Sequence, residues 1–463
     1  MYNKLSFRKI YLALQDLFGF FLGLWLGLAV RYLYLPTQEE FLSHLPLFSA
    51  VFLIWVIMNY INGLYDLDKE PDSIIFHKQI WESGGFSLVC GIIFFYIVPE
   101  KNITPKTILV LVTISGYLVI NFLRILAFKF ILPKTSAQKI MFVGFSKEVK
   151  ELLEILEENH FFYKTHGILL YQDKNKEKIE NKNIKIYEQV TDLKAVLEKE
   201  NIDQIILTPH LKQKKEVVQK LYEVLYLPIK IKDLHSFYEE ITGRVPPSTF
   251  KEAWFLDHLR NLQNPFKLGI RRGIDIVAAT ILGIITLILF PFIALAIKID
   301  SEGPILIRQK RVGKKNTIFT MYKFRSMYAL SEDGLAETDG PEFAKKDDDR
   351  ITPVGKFLRQ TRLDELPQVW NLFKGDLTLI GPRPERPEIV DKLEKRMPYY
   401  SLRHIVKPGI TSWAVLHQNY TDTMEESLQK LQYDLFYIKN RSFLLDLSIS
   451  LRTVNVIVRM MGQ

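Results

Sequence analysis

Cysteine is almost absent from this 463-residue sequence: Cys90 stands alone inside an apolar run. Neither an intramolecular disulfide nor a cysteine-based zinc site can form, and Cys90 reads as a buried thiol. The nine histidines show no metal-ligand spacing, and His404 and His417 read as structural or surface groups rather than general bases. Internal repeats and low-complexity tracts are missing too. With 48% hydrophobic and 24% charged residues, the composition excludes a disordered or collagen-like chain. The apolar residues are unevenly spread. Residues 45–65 and 276–297, runs of 21 and 22, contain no acid, lysine, arginine or histidine. Such runs can cross a hydrocarbon core of ~30 Å, so a wholly soluble protein is not expected. The 61 basic residues exceed the 52 acidic ones, giving +9. That surplus gathers beside the apolar runs, which favours a membrane surface over nucleic acid.

At roughly 150 residues per domain the length suggests about three domains. Four apolar segments, near residues 10–35, 45–65, 83–99 and 107–123, make 1–135 a four-helix transmembrane bundle. The first is too long for a cleaved leader and has no small-residue cleavage site. Lys4, Arg8 and Lys9 precede it, Arg124, Lys129, Lys134 and Lys139 follow the fourth, and the first loop has no lysine or arginine. Both ends of the bundle are therefore expected on the cytoplasmic side. From Lys139 a soluble α/β rhythm begins, with buried strands at 139–145, 167–171, 204–208 and 229–231 alternating with helix-periodic stretches. This predicts a Rossmann-like domain over 136–245 with a parallel sheet, a linker over 246–265 around Pro246-Pro247-Ser248, and a small α/β catalytic domain over 266–463.

The catalytic part opens on the apolar run 276–297, which carries basic residues on both flanks and Pro291 inside. Cations on both sides favour both ends on one membrane face. Proline in a helix interior costs about 3 kcal/mol unless a bend relieves it. The expectation is a broken, re-entrant helix over 272–299, the alternative being a kinked spanning helix. Further on, Asp364-Glu365-Leu-Pro367 precedes apolar positions at helical spacing that end at Gly375. The predicted helix starts at Pro367, and its positive end favours each ionised carboxylate by ~0.3–1 kcal/mol. Two adjacent acids near Arg359 and Arg362 suit a magnesium–phosphate site, although a lone Asp-Glu pair also serves as an ordinary capped surface helix. Around this stretch run Gly303-Pro-Ile-Leu-Ile-Arg-Gln-Lys-Arg-Val-Gly313, Met321-Tyr-Lys-Phe-Arg-Ser-Met327, Asp347-Asp-Asp-Arg350 through Gly355, Gly381-Pro-Arg-Pro384 and Lys407-Pro-Gly-Ile-Thr411. Turns rich in Gly and Pro that present Arg or Lys are what a pyrophosphate site needs.

In this order the segments resemble the bacterial sugar transferase family, the monotopic polyprenol-phosphate phosphoglycosyltransferases. The resemblance runs from about residue 265 to the end, and with the four apolar segments and the middle domain it extends to the long, hexose-type members. It implies transfer of a phosphosugar from a UDP-sugar to undecaprenyl phosphate with release of UMP, at the cytoplasmic face of a bacterial inner membrane, as the first step of surface polysaccharide assembly. By resemblance Asp364 is the nucleophile that forms an aspartyl-phosphosugar, and Glu365 helps hold Mg²⁺. Lys323, Arg325, Arg350, Arg359 and Arg383 surround the phosphates, and Asp446 is a further site acid. Residues 237–246 look like the family's connection to the catalytic part. One departure stands out: the residue before the helix-breaking proline is often serine in the family, and here it is Phe290. Glucose or galactose is the expected sugar, and a homodimer through the middle domain is a reasonable assembly.

Two other classes compete. A membrane-anchored nucleotide-sugar dehydratase would need Gly-x-Gly-x-x-Gly after the first strand, where only Gly144 is present, followed by Phe145 and Ser146. Its Tyr-x-x-x-Lys pair has the spacing of Tyr226 and Lys230, but Leu227-Pro228 between them breaks a helix. A membrane-surface scaffold explains the charge and the apolar runs but not the surroundings of Asp364 and Glu365. The polar, acid-rich loop 331–349 is read as a flap over the site or a solvated excursion.

Overall fold

The computed structural model describes residues 2–65, 74–98, 105–127, 138–158, 163–170, 184–188, 193–250, 264–329, 348–397, 399–418 and 423–458. The loop expected over 331–349 lies outside these residues up to position 347. Contacts divide the chain into two compact units, Met1–Leu234 and His235–Gln463.

The first unit begins with four long helices, α1 (Tyr2–Tyr32), α2 (Gln38–Ile61), α3 (Ile74–Ile97) and α4 (Pro105–Leu126). Aromatic and aliphatic side chains such as Phe20, Phe52, Trp55 and Tyr117 are fully buried between them, while Leu14, Leu53, Ile92 and Phe122 stay exposed. This inside-and-outside apolarity is what lipid-facing helices show. Glycine lets α1 and α4 touch: a Cβ on Gly23 would lie 2.4 Å from the Cα of Gly116. Deep in the interior Arg124 makes a paired contact with Asp16 at 2.7 Å, to which Asn59 and Tyr65 also donate. Such a pair is tolerated because every charge has partners. Cys90, in α3, is half-buried.

The α/β portion follows, with β1 (Gln138–Val143), α5 (Lys147–Glu158), β2 (Tyr163–Leu169), β3 (Lys185–Tyr187), α6 (Leu193–Glu200), β4 (Gln204–Leu207), α7 (Pro209–Lys212), α8 (Lys215–Glu223) and β5 (Lys230–Asp233). All pairings are parallel, in the order β3-β2-β1-β4-β5, a doubly wound sheet. The turn after β1 is closed: Gly144 has φ +100°, and a Cβ there would lie 2.0 Å from Oγ1 of Thr208. Tyr226 lies in the turn after α8 and Lys230 opens β5, so they share no helix.

The second unit contains α9 (Leu234–Thr242), α10 (Pro265–Asp300), the antiparallel hairpin β6 (Leu306–Val312) and β7 (Ile318–Phe324), α11 (Pro353–Gln360), α12 (Val369–Lys374), β8 (Thr378–Ile380), α13 (Pro387–Arg396), β9 (Gly409–Thr411), α14 (Met424–Asn440) and α15 (Phe443–Val458). Helix α9 belongs here, tied by Lys439 to Glu239 at 2.8 Å and by the Trp413 indole donating to the Gly243 carbonyl. From sequence, α9 is expected within the middle domain; these long-range ties put it with the catalytic unit instead.

Helix α10 runs as one element through Pro291, where sequence predicts two pieces. The Phe290 ring packs on Phe324 at 5.6 Å, and Ile293 and Ile297 join Phe324 and Leu358 in a core. Contacts at Arg272, Asp275, Gly283, Phe290, Ile293 and Ile297 recur at helical spacing and fix one face to the unit. The opposite face is bare: Val277, Ile281, Leu287, Phe292 and Leu295 are all exposed. Five helices of the described residues, α1 to α4 and α10, are long and apolar enough to cross a membrane. The molecule is a membrane protein with an attached catalytic unit.

Candidate active site

The β6–β7 hairpin supplies one wall. Ile307 pairs with Lys323 and Arg311 with Phe319, so side-chain alternation puts Arg311, Met321 and Lys323 on one face. A short 3-10 turn, Leu363–Gln368, supplies the floor and carries Asp364 and Glu365. The sequence places these acids ahead of an α-helix, but here they lie inside the tighter turn, and α12 starts at Val369. Arg362 enters the turn with φ +56°, and Pro367, which has no N–H to donate, lies inside it. Asn371 fastens the turn to the hairpin by donating to the Thr320 carbonyl at 2.6 Å and accepting from the Tyr322 N–H. The third wall is the strip after β8. A Cβ on Gly381 would sit 2.4 Å from the Lys407 carbonyl oxygen, so glycine is needed for this strip to run beside β9.

The carboxylates differ sharply. Three cations meet Glu365 Oε1: Arg383 at 2.7 Å, Lys323 at 3.6 Å and Arg362 at 3.9 Å. Burial pushes the Glu365 carboxyl up, but Arg383 and Lys323 outweigh it and hold it ionised well below the usual range. Asp364 is only 8% exposed and accepts no hydrogen bond from any described residue. Burial pushes its carboxyl above the ordinary aspartate value, against the pull of Lys323 and the half-buried Arg359. Burial also holds Lys323 below its usual value. The turn thus offers one neutralised carboxylate and, next to it, one short of partners. A second set of charges lies behind Arg383. Its carbonyl accepts from Arg403 at 2.8 Å, Arg403 pairs with Asp434 at 2.7 Å, and Glu385 pairs with Lys430 at 2.5 Å. Burial would raise the Glu385 carboxyl, but Lys430, Arg403 and Arg311 bring it to about 2.

Lys323, Arg359, Asp364, Glu365 and Arg383, all expected site residues, therefore lie together. The other three expected residues go elsewhere. Arg325 is buried, and its guanidinium donates to the carbonyls of Ile297, Ser301 and Glu302, capping the C-terminus of α10. It lies just past the end of β7, where alternation no longer aims it at the acids. Asp446 pairs with Arg271 at 2.7 Å and accepts from Tyr437, pinning α15 to the start of α10. Arg350 grips Asp348 at 2.7 Å and holds that carboxyl down at about 2. Four further residues emerge only from the structure. Glu385 directly follows the Gly381-Pro-Arg-Pro384 motif, and Arg311 stands inside the 303–313 motif without a role of its own. Arg403 and Asp434 give no local signal.

No group of three or more metal-ligating side chains occurs among the described residues. Two adjacent carboxylates, one of them without a donor, still fit a magnesium ion that takes its remaining ligands from substrate phosphates and water.

The profile of the bacterial sugar transferase family matches residues 266–460. A UDP-glucose:undecaprenyl-phosphate glucose-1-phosphate transferase of Klebsiella pneumoniae is 30% identical over 459 residues, covering 95% of this chain and 93% of that protein. A UDP-N-acetylgalactosamine-undecaprenyl-phosphate N-acetylgalactosaminephosphotransferase of Aeromonas hydrophila is 40% identical over 240 residues, 50% of this chain and 53% of that one. An undecaprenyl-phosphate galactose phosphotransferase of Salmonella typhimurium is 33% identical over 222 residues, 46% of this chain and 45% of its own. On the profile match around Asp364 and the near full-length likeness together, the chain belongs to the bacterial sugar transferase family and is a phosphoglycosyltransferase.

Proposed function

We propose that the protein transfers a phosphosugar from a UDP-sugar to undecaprenyl phosphate at the cytoplasmic face of the inner membrane, as the first step of surface polysaccharide assembly. The observation that carries this reading is the buried Asp364 carboxylate, short of hydrogen bonds and ringed by Lys323, Arg359 and Arg383. A desolvated carboxylate among cations is a competent nucleophile toward a phosphoryl group. An Asp364 oxygen attacks the β-phosphorus, the bond to the bridging oxygen breaks, and UMP leaves with that oxygen and its electron pair. A phosphate oxygen of the lipid then attacks the same phosphorus and frees Asp364. Lys323, Arg359 and Arg383 offset charge on the transferring group. Mg²⁺, held by Glu365 and Asp364, would add Lewis-acid neutralisation of the donor's phosphates.

The membrane reading is part of the proposal. Helices α1 to α4 span the bilayer, and α10 dips into the cytoplasmic leaflet with Pro291 allowing a bend. Its one-faced grip on the catalytic unit and bare opposite face support shallow insertion over crossing. Cysteine labelling near Lys314 in sealed vesicles tests this, and reaction only from the outer side overturns it. Glucose or galactose is the preferred sugar, because the relative named for glucose matches almost the whole chain. N-acetylgalactosamine, named for the Aeromonas relative, is the second reading, and a radiolabelled panel of UDP-sugars decides between them. For the covalent route, mixing enzyme with donor and no lipid should release UMP up to one equivalent. Release only when the lipid is added means direct transfer.

A further inference from the structure

Lys407 comes from one of the motifs rich in Gly and Pro, but its ammonium lies at the far end of α12 from the acidic turn. There it stands beside Arg272: a Cβ on Gly375, the residue that ends α12, would be 3.2 Å from Lys407 Nζ and 3.3 Å from Arg272 Cζ. Lys314, at the tip of the β6–β7 hairpin, is close enough to repel Lys407. That tip is held in place. Lys315 and Asn316 have φ of +56° and +60°, a conformation disfavoured for residues with a Cβ, and His404 meets Asn316 Oδ1 at 2.5 Å.

The three cations are short of anions. Neither Lys407 nor Lys314 finds an acceptor for its ammonium among the described residues. Arg272 donates to the carbonyls of Leu372 and Phe373, which leaves its charge in place. The nearby acids are engaged: Asp275 accepts from the Thr378 hydroxyl at 2.9 Å and the Leu379 N–H at 2.8 Å, and Asp376 from the Asn371 amide at 3.2 Å. Burial first, and Arg272 second, hold the Lys407 ammonium below its usual value, and Asp275 and Asp376 do not make up the difference. The surroundings are apolar and bare. Phe266, Ile270 and Ile274 are exposed at helical spacing and lead into Val277 on the open face of α10, and Trp370 and Phe373 are exposed on α12. Cations at the edge of an apolar stripe, with an exposed tryptophan beside them, match the level of lipid headgroups.

We propose that Arg272, Lys314 and Lys407 form a seat for the phosphate of an anionic membrane phospholipid, whose acyl chains lie along the open stripe of α10. The seat is separate from the place of sugar transfer, because the six-residue α12, ~9 Å long, stands between it and the acidic turn. A phosphate there neutralises the cluster and fixes the depth at which α10 meets the headgroups. The proposal goes beyond the transferase reading and does not rest on it.

The test is calorimetric titration of the full-length protein in detergent with short-chain phosphatidylglycerol. Phosphatidylcholine of the same chain length, inorganic phosphate and a short-chain polyprenyl phosphate are run in parallel. Phosphatidylglycerol should bind saturably, at least about ten-fold more tightly than phosphatidylcholine or phosphate. Lys407→Met should weaken that binding by about ten-fold and Lys314→Met by at least about three-fold. Affinity unchanged in both variants overturns the assignment, and a folding defect in one leaves the other to decide. Equal affinity for phosphatidylcholine means adsorption of the chains only, and equal affinity for phosphate means a plain anion patch; either overturns it. Polyprenyl phosphate that displaces phosphatidylglycerol gives the seat to the acceptor and overturns it too. No arm reads sugar transfer, so failure here and failure of the transferase reading stay distinct.

Discussion

At the scale of single residues the site depends on two neighbours treated oppositely. Glu365 is met by three cations at one oxygen, while Asp364 is desolvated and short of donors. Asp364→Asn should abolish the UMP burst and lower turnover by at least about 10³-fold. It should also stabilise the protein. With its carboxyl raised in the folded state, the native protein binds the proton more tightly than the unfolded chain, so stability falls as pH rises through the window above the ordinary aspartate value of ~4. Asparagine removes that loss, and the neutral-pH melting temperature should rise by roughly 2–4 °C. Lys323→Met withdraws a cation that lowers the Asp364 carboxyl, so the acid limb of kcat/KM should move to higher pH. An unmoved limb would mean that another group sets it. Asp364, Glu365, Lys323 and Arg383 were legible because each sits in a dense motif. Arg403 and Asp434 were not, since a buried ion pair between residues 31 positions apart leaves no mark on the local pattern.

Among elements, strand ends decide which side chains reach the site. Alternation along β7 turns Lys323 toward the acids, whereas Arg325, expected at the phosphates by family resemblance, lies beyond the strand's end at Phe324. Arg325 turns back to the carbonyls that α10 leaves unpaired. Arg325→Ala should cost roughly 1–3 kcal/mol of stability, read as an earlier thermal or urea transition, with the donor KM unchanged in the folded fraction. A raised KM with normal stability would return Arg325 to the phosphates. The 3-10 turn was equally hard to foresee: Pro367 is compatible with the first turn of an α-helix, and nothing local signals that the helix begins later, at Val369. The parallel strands of the α/β portion were readable from alternating apolar runs, apart from the three-residue β3.

For the whole molecule, the separation into Met1–Leu234 and His235–Gln463 makes a direct prediction. The second unit expressed alone should fold, sediment with membranes through α10 and keep the UMP burst. A fragment that stays in the supernatant would assign membrane attachment to the first four helices alone. The bundle has its own weak point in the Asp16–Arg124 pair. Asp16→Ala leaves a buried cation unpaired, and such changes typically cost about 3–5 kcal/mol, visible as lower yield and earlier proteolysis of the first unit.

Helix α10 is gripped by Arg272 and Asp275 near one end, through the carbonyls of Leu372 and Phe373 and the hydroxyl of Thr378, and by Arg325 at the other. A slide by one residue, ~1.5 Å, would break both clasps and tug at the chain on either side of the acidic turn. The lipid sheet can therefore act as a tuning peg: acyl chains too short or too long strain the clasps, and turnover in vesicles of graded chain length should peak at one length and fall on both sides.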